Sequence, residues 1–126
     1  NRELTEHFAC NGSMFICIES FLRQKPTPLK VEAIEPSVVY GIPYHPLEEL
    51  SKEHYEIGLL YRRRLEGSLI LSQKKADSIR FESARERYER LLKNNPEIIR
   101  RAPLSQIASL LEMTPETLSR VRAGTL

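Results

Sequence analysis

Apolar positions along this chain change period near residue 43, and the elements they predict change with them. In "KVEAIEPSVVYGI", Val31 and Ala33 fall on one parity, and Val38, Tyr40 and Ile42 on another, with Glu35-Pro36-Ser37 between them. Period-two alternation broken by a turn predicts half-buried strands. Upstream, "IESFLRQKPTP" predicts a short helical turn followed by a proline-limited loop. So few strands cannot close a sheet, and a fragment of two or three is marginal alone. The expectation is that further strands precede Asn1.

From Pro46 onward the pattern is helical. "HPLEELSKEH" predicts a short helix with Pro46 near its start. The proline-free stretch from Tyr55 to Phe81 then places Tyr61, Leu65, Leu69, Ser72, Ala76 and Ile79 at four-three spacing, the seam of one long amphipathic helix. At 1.5 Å per residue it reaches nearly 40 Å, longer than globular helices usually run. Pairing with a second helix through Tyr61, Leu65, Leu69, Ser72 and Ala76 is the expected use, although Ser72 and Ala76 make half of that seam small and polar.

A further helix starts at Ser83, where Glu86 three residues on completes a capping box, and Asn94-Asn95-Pro96 interrupts it. Two short helices follow, "PLSQIASLL" and "TPETLSRVRAG", separated only by Glu112 and Met113 before the N-cap at Thr114. Pro115 occupies the first helical position, where its missing N–H costs nothing. So short a turn forces a steep crossing, the helix-turn-helix arrangement whose second helix enters the DNA major groove. Ala108 is the small residue at the crossing, and Ile107, Leu111, Leu118 and Val121 hold the pair together. The turn is entered through Glu112 rather than glycine, which predicts a left-handed residue held at some cost.

On that scaffold the polar residues acquire roles. Arg120 can reach a guanine O6/N7 edge, and Glu116 can accept from a cytosine amino group. Thr114, Thr117, Ser119 and Arg122 supply donors to bases or phosphates, and Ser105 and Gln106, opening the preceding helix, lie where phosphates are met. Charge supports this placement. The chain's net charge of +2 divides into eight Lys/Arg against five Asp/Glu in residues 83–126, a net of +3, and eleven against twelve in residues 1–82, a net of −1. The basic part is the part nucleic-acid binding requires.

Composition excludes more than it selects. The sequence carries 40% hydrophobic and 29% charged residues, with no bilayer-length apolar run and no secretory pattern, so a cytoplasmic protein is expected. Cys10 and Cys17 fit no metal spacing and are too few for a four-cysteine cluster. His7, His45 and His54 match haem ligands by residue type only, and ordinary surface or core histidines are the preferred reading. No catalytic constellation stands at motif spacing and no glycine-rich phosphate loop exists among five glycines, so neither an enzyme nor a cofactor is expected. The alternative is a protein–protein interaction module, with "YRRRLEG" as its docking surface.

"FESARERYERLLKNNPEIIRRAPLSQIASLLEMTPETLSRVR" resembles the C-terminal region of the Crp/Fnr family of bacterial transcription regulators, through its S-A-x-x-R-Y, P-x-x-x-I-A-x-x-L and T-P-E-T-L-S-R elements. "FICIESFLRQKPTPLKVEAIEPSVVYGI" is similar to the later part of that family's cyclic-nucleotide-binding β-roll. The resemblance implies an α+β fold in three parts: a partial β-roll of the cupin-like jelly-roll type over 1–54, a long dimerisation helix over 55–81, and a winged-helix-like helix-turn-helix domain over 82–126. It implies a homodimeric transcription regulator on a pseudo-palindromic operator in double-stranded DNA, with RNA polymerase as a further partner. The family reads bases with an arginine, a glutamate and another arginine; here Pro115 replaces the first, while Glu116 and Arg120 match the others. The effector positions depart further, since Ile16 and Cys17 follow Phe15, and Thr27 and Pro28 follow Pro26, where cyclic-AMP binders carry a glutamate and an arginine. A cyclic phosphate beside Thr27 would lack its counter-charge, so no cyclic-AMP response is expected and the effector stays open.

Overall fold

The computed structural model describes residues 4–126, and every element in them is helical. They are α1 (Ile18–Arg23), α2 (Tyr44–Glu53), α3 (Tyr55–Phe81), α4 (Ala84–Asn94), α5 (Pro96–Arg101), α6 (Leu104–Leu110) and α7 (Pro115–Arg122). The chain divides into two compact units, one of residues 12–71 and one of residues 4–11 with 72–126.

The expected α+β class is therefore wrong. Among the described residues there is no strand, hence no β-roll, jelly roll or wing. Residues 29–43 have the side-chain alternation of strands but no neighbouring backbone to pair with. Alternation fixes which side chains share a face; a ladder of inter-strand N–H···O=C bonds is what makes a strand. With no ladder both parities stay open, and Val38 and Tyr40 are 83% and 89% exposed. The positions expected to line an effector pocket are likewise not enclosed by any sheet. Ile16 and Cys17 lead into α1, with Cys17 as its N-cap residue, while Thr27 accepts from the Leu29 N–H at 3.1 Å in a local turn beside exposed Pro28.

In the unit of residues 12–71, α1, α2 and the first part of α3 are tied by rings. Phe21 meets Tyr44 edge-on at 5.2 Å between centroids and Tyr61 at 6.4 Å. Tyr61, first residue of the expected seam, is thus engaged by its own chain. Leu65 is half-buried, whereas Leu69 stands 71% exposed with Ile70 and Leu71 open beside it. In the other unit Ser72 is exposed and Ala76 half-buried.

The buried core lies in that second unit. Ile98, Ile107, Ala108, Leu111, Met113 and Leu118 form one cluster, covered at its edge by Phe8, Cys10, Ala84, Tyr88, Leu91 and Leu104. α4 packs on α5 and α7, and α6 packs on α7. The segment before Asn11 joins this unit by a bond from the Thr5 N–H to Ser109 Oγ at 2.8 Å and one from Lys75 Nζ to the Glu6 carbonyl at 3.2 Å.

Why α4 begins where it does is local chemistry. Ser83 Oγ accepts from the Glu86 N–H at 3.2 Å, and the Glu86 carboxylate accepts from the Ser83 N–H at 2.8 Å. The Ser83 N–H first, and the Ser83 hydroxyl donating to the same carboxylate at 2.7 Å second, hold the Glu86 carboxyl below its ordinary pKa. A depressed folded pKa means that the carboxylate's contribution is complete above the ordinary value and fades as pH falls through the folded one. Ser83→Ala should cost about 1 kcal/mol of stability near neutral pH. Thermal melts should show that penalty shrinking as the buffer is acidified through the carboxylate range.

Candidate nucleic-acid interface

α6 and α7 meet through a turn whose backbone is fully accounted for. Leu111 caps α6 and Glu112 follows in the left-handed region at φ +52°. The Glu112 N–H donates to the Ser109 carbonyl at 3.1 Å, and the Met113 N–H to the Ala108 carbonyl at 3.0 Å. This is the paired closure of a Schellman motif, with Met113 and Ala108 both buried as its accompanying apolar contact. The geometry favours glycine at the left-handed position, and this chain places glutamate there. Glu112→Gly should raise stability by about 0.5–1 kcal/mol, since relief of the left-handed backbone exceeds the added freedom of the unfolded chain. A rise in melting temperature of a few degrees is the check; a fall would show that the glutamate side chain stabilises the turn.

α7 starts as its sequence demands. Thr114 Oγ1 accepts from the Thr117 N–H at 3.1 Å, Pro115 fills the first turn, and the two threonine hydroxyls lie 3.1 Å apart. The helix ends on a second Schellman closure, with Gly124 at φ +71° and the Thr125 N–H donating to the Arg120 carbonyl at 3.0 Å. Between these caps Leu118 and Val121 turn inward and are buried. At 100° per residue the opposite face carries Glu116, Ser119 and Arg120, all exposed.

The residues expected to meet DNA separate accordingly. Glu116, Ser119 and Arg120 share the outward face, and Arg122 is exposed at its edge. Among the described residues neither Arg120 nor Arg122 is in an ion pair, although Glu116 is one turn from Arg120. Glu116 is held below the ordinary carboxylate pKa by its own backbone N–H and then by the Thr114 hydroxyl, so it stays a charged acceptor near neutrality. The Thr114 hydroxyl caps the helix, while Thr117 gives that cap its backbone N–H and keeps its hydroxyl beside that of Thr114. Ser105 is exposed and Gln106 half-buried at the opening of α6.

Two arginines absent from the sequence-derived site act nearby, Arg87 on the turn itself and Arg90 on the corner between α3 and α4. Arg87 of α4 donates from Nε to the Leu111 carbonyl at 2.9 Å, from Nη1 to the Glu82 carbonyl at 2.8 Å, and from Nη2 to the Glu112 carbonyl at 3.4 Å. Arg90 pairs with Glu82 at 2.9 Å and donates to buried Ser78, whose hydroxyl is 2.5 Å from the same carboxylate. Ser78 first, and Arg90 after it, hold the Glu82 carboxyl below its ordinary pKa. These residues, with Lys74, Asp77 and Phe81, border a shallow cavity of about 280 Å³.

Among the described residues no group of histidine, cysteine or acidic side chains could hold a metal ion, and no helix is long and apolar enough to cross a membrane. No family model, curated protein or solved structure matches this chain.

Proposed function

We propose that residues 72–126 bind double-stranded DNA through a helix-turn-helix in which α7 enters the major groove, and that the protein is a sequence-specific transcription regulator. One observation carries this proposal. α7 buries its apolar stripe completely and is left with Glu116, Ser119 and unpaired Arg120 on an open face, between two closed caps. Arginine and glutamate are the side chains that address guanine and cytosine edges in the major groove. The net +3 of residues 83–126 and their resemblance to Crp/Fnr regulators support the same conclusion.

Homodimerisation is the second part of the proposal. Leu69, Ile70 and Leu71 form an exposed apolar band that winds round α3, and Leu69, the one on the four-three seam, is what a second copy would cover and remove from water. Two reading helices one DNA turn apart then call for a pseudo-palindromic operator. A competing role in docking another protein rests on the same band, and sedimentation of the purified chain separates the two. Selection of random duplex DNA by the full chain tests both parts. An enriched inverted repeat supports a dimeric reader, an enriched single half-site supports a monomeric one, and no enrichment defeats the DNA-binding proposal.

A further inference from the structure

We infer that Arg87 is the positioning residue of the reading helix: one guanidinium fixes the α6–α7 turn to the corner between α3 and α4. This inference rests on the DNA-binding proposal for its functional consequence, but its geometry is independent of it. Arg87 spans three carbonyls that no helical bond satisfies. Glu82 O belongs to the corner that follows Phe81, and Leu111 O and Glu112 O belong to the turn. The turn needs such a hold more than most. Its left-handed residue is glutamate, so the backbone there is strained and gains by relaxing unless an outside group fixes it. A planar fork with donors on three separate nitrogens can do this; an ammonium has its three donors on one nitrogen and cannot span carbonyls that lie apart.

The corner is equally well braced from the other side. The Ser83–Glu86 capping box fixes the first turn of α4, and Arg90 joins Glu82 to Ser78 of α3. Between them the end of α3, the start of α4 and the turn before α7 become one rigid piece. A base edge is discriminated only if the reading side chain arrives in register, so an unfastened turn should lose discrimination before it loses attraction to the phosphates.

The test compares wild type, Arg87→Gln, Arg87→Lys and the double variant Arg87→Gln/Glu112→Gly. Amide hydrogen exchange of Glu112 and Met113 in Arg87→Gln should accelerate about tenfold relative to amides inside α4, with Arg87→Lys intermediate. The ratio of affinities for a selected operator over random duplex should fall about tenfold. Affinity for random duplex and its salt slope should stay at wild-type values, because all three Arg87 nitrogens are engaged by carbonyls of its own chain. In the double variant, Glu112→Gly should recover melting temperature but not the affinity ratio, which separates positioning from stability. An unchanged ratio in folded Arg87→Gln would overturn the inference. So would an equal loss on both duplexes with a salt slope reduced by about one, the mark of a phosphate contact. If wild type prefers no DNA sequence, the DNA-binding proposal fails, and exchange alone decides the clamp. Acceleration confined to the turn then upholds it, and uniform or absent acceleration overturns it.

Discussion

Leu118→Ala should unfold the C-terminal unit, or bring it close to unfolding, at 37 °C. Leu118 is 0% exposed, sits at the contact of α7 with α6 and α4, and is one of two large side chains that are fully buried among the described residues. Truncating a buried leucine removes its transfer free energy and leaves a cavity, together about 3–5 kcal/mol where neighbours cannot close the gap. Here they cannot close it easily, because Ala108 is already at the minimum size for the helix crossing and both ends of α7 are pinned by caps. Small domains have only about 5–15 kcal/mol in total, and nearly all the buried apolar residues lie in this one cluster. Denaturant unfolding should therefore show the loss directly. A change below about 1 kcal/mol would mean that the cluster is not the stabilising core.

Arg120→Ala should leave the fold intact and abolish preference for the operator. The side chain is exposed and, among the described residues, makes no ion pair, so its removal takes away no packing. A bidentate contact from arginine to guanine discriminates by about 1–3 kcal/mol against the wrong base. In a symmetric dimer the residue acts twice, so operator affinity should drop by about a hundredfold or more. The loss should be concentrated at one base position in each half-site. Random-duplex affinity should fall far less, since one charge among several phosphate contacts is a small part of the salt-dependent term. Competition binding with operator variants reads the position. Uniform loss at every base would instead make Arg120 a phosphate contact, and the reading residue would have to be sought at Glu116 or Ser119.

What was legible in the sequence was what local chemistry decides. The capping box at Ser83 and Glu86, the N-cap at Thr114, the long helix from Tyr55 to Phe81 and the left-handed Glu112 all depend on residues within four positions of each other. The structure has them where the spacing put them. The strands failed because a strand is a property of two chains segments at once. Val31, Val38 and Tyr40 had the alternation, and the resemblance to a β-roll reinforced it, but among the described residues nothing pairs with them. The ring of Phe21, forty residues away, meets Tyr61 edge-on, a contact that no local spacing reveals. Arg87 and Arg90 were hidden by distance in the opposite sense. On a helix full of charges they look like solvated side chains, and the Leu111 and Glu112 carbonyls that Arg87 holds lie 24 and 25 residues downstream. Only the S-A-x-x-R-Y motif singled out that position, without saying what the arginine does.

The face proposed to meet DNA was legible in part. Glu116, Ser119 and Arg120 share one face, as helical periodicity requires. Thr114 and Thr117 are expected to donate toward DNA, and in the structure the Thr114 hydroxyl also caps α7 by accepting from the Thr117 N–H.

The most direct measurement is an amide chemical-shift titration of the isotope-labelled chain with a short duplex at moderate salt. DNA binding through α7 predicts shifts concentrated at Ser105, Gln106, Thr114, Glu116, Ser119 and Arg120, diminishing as salt is raised. Shifts centred instead on Leu69–Leu71 of α3, or none at any residue of α6 and α7, would contradict it.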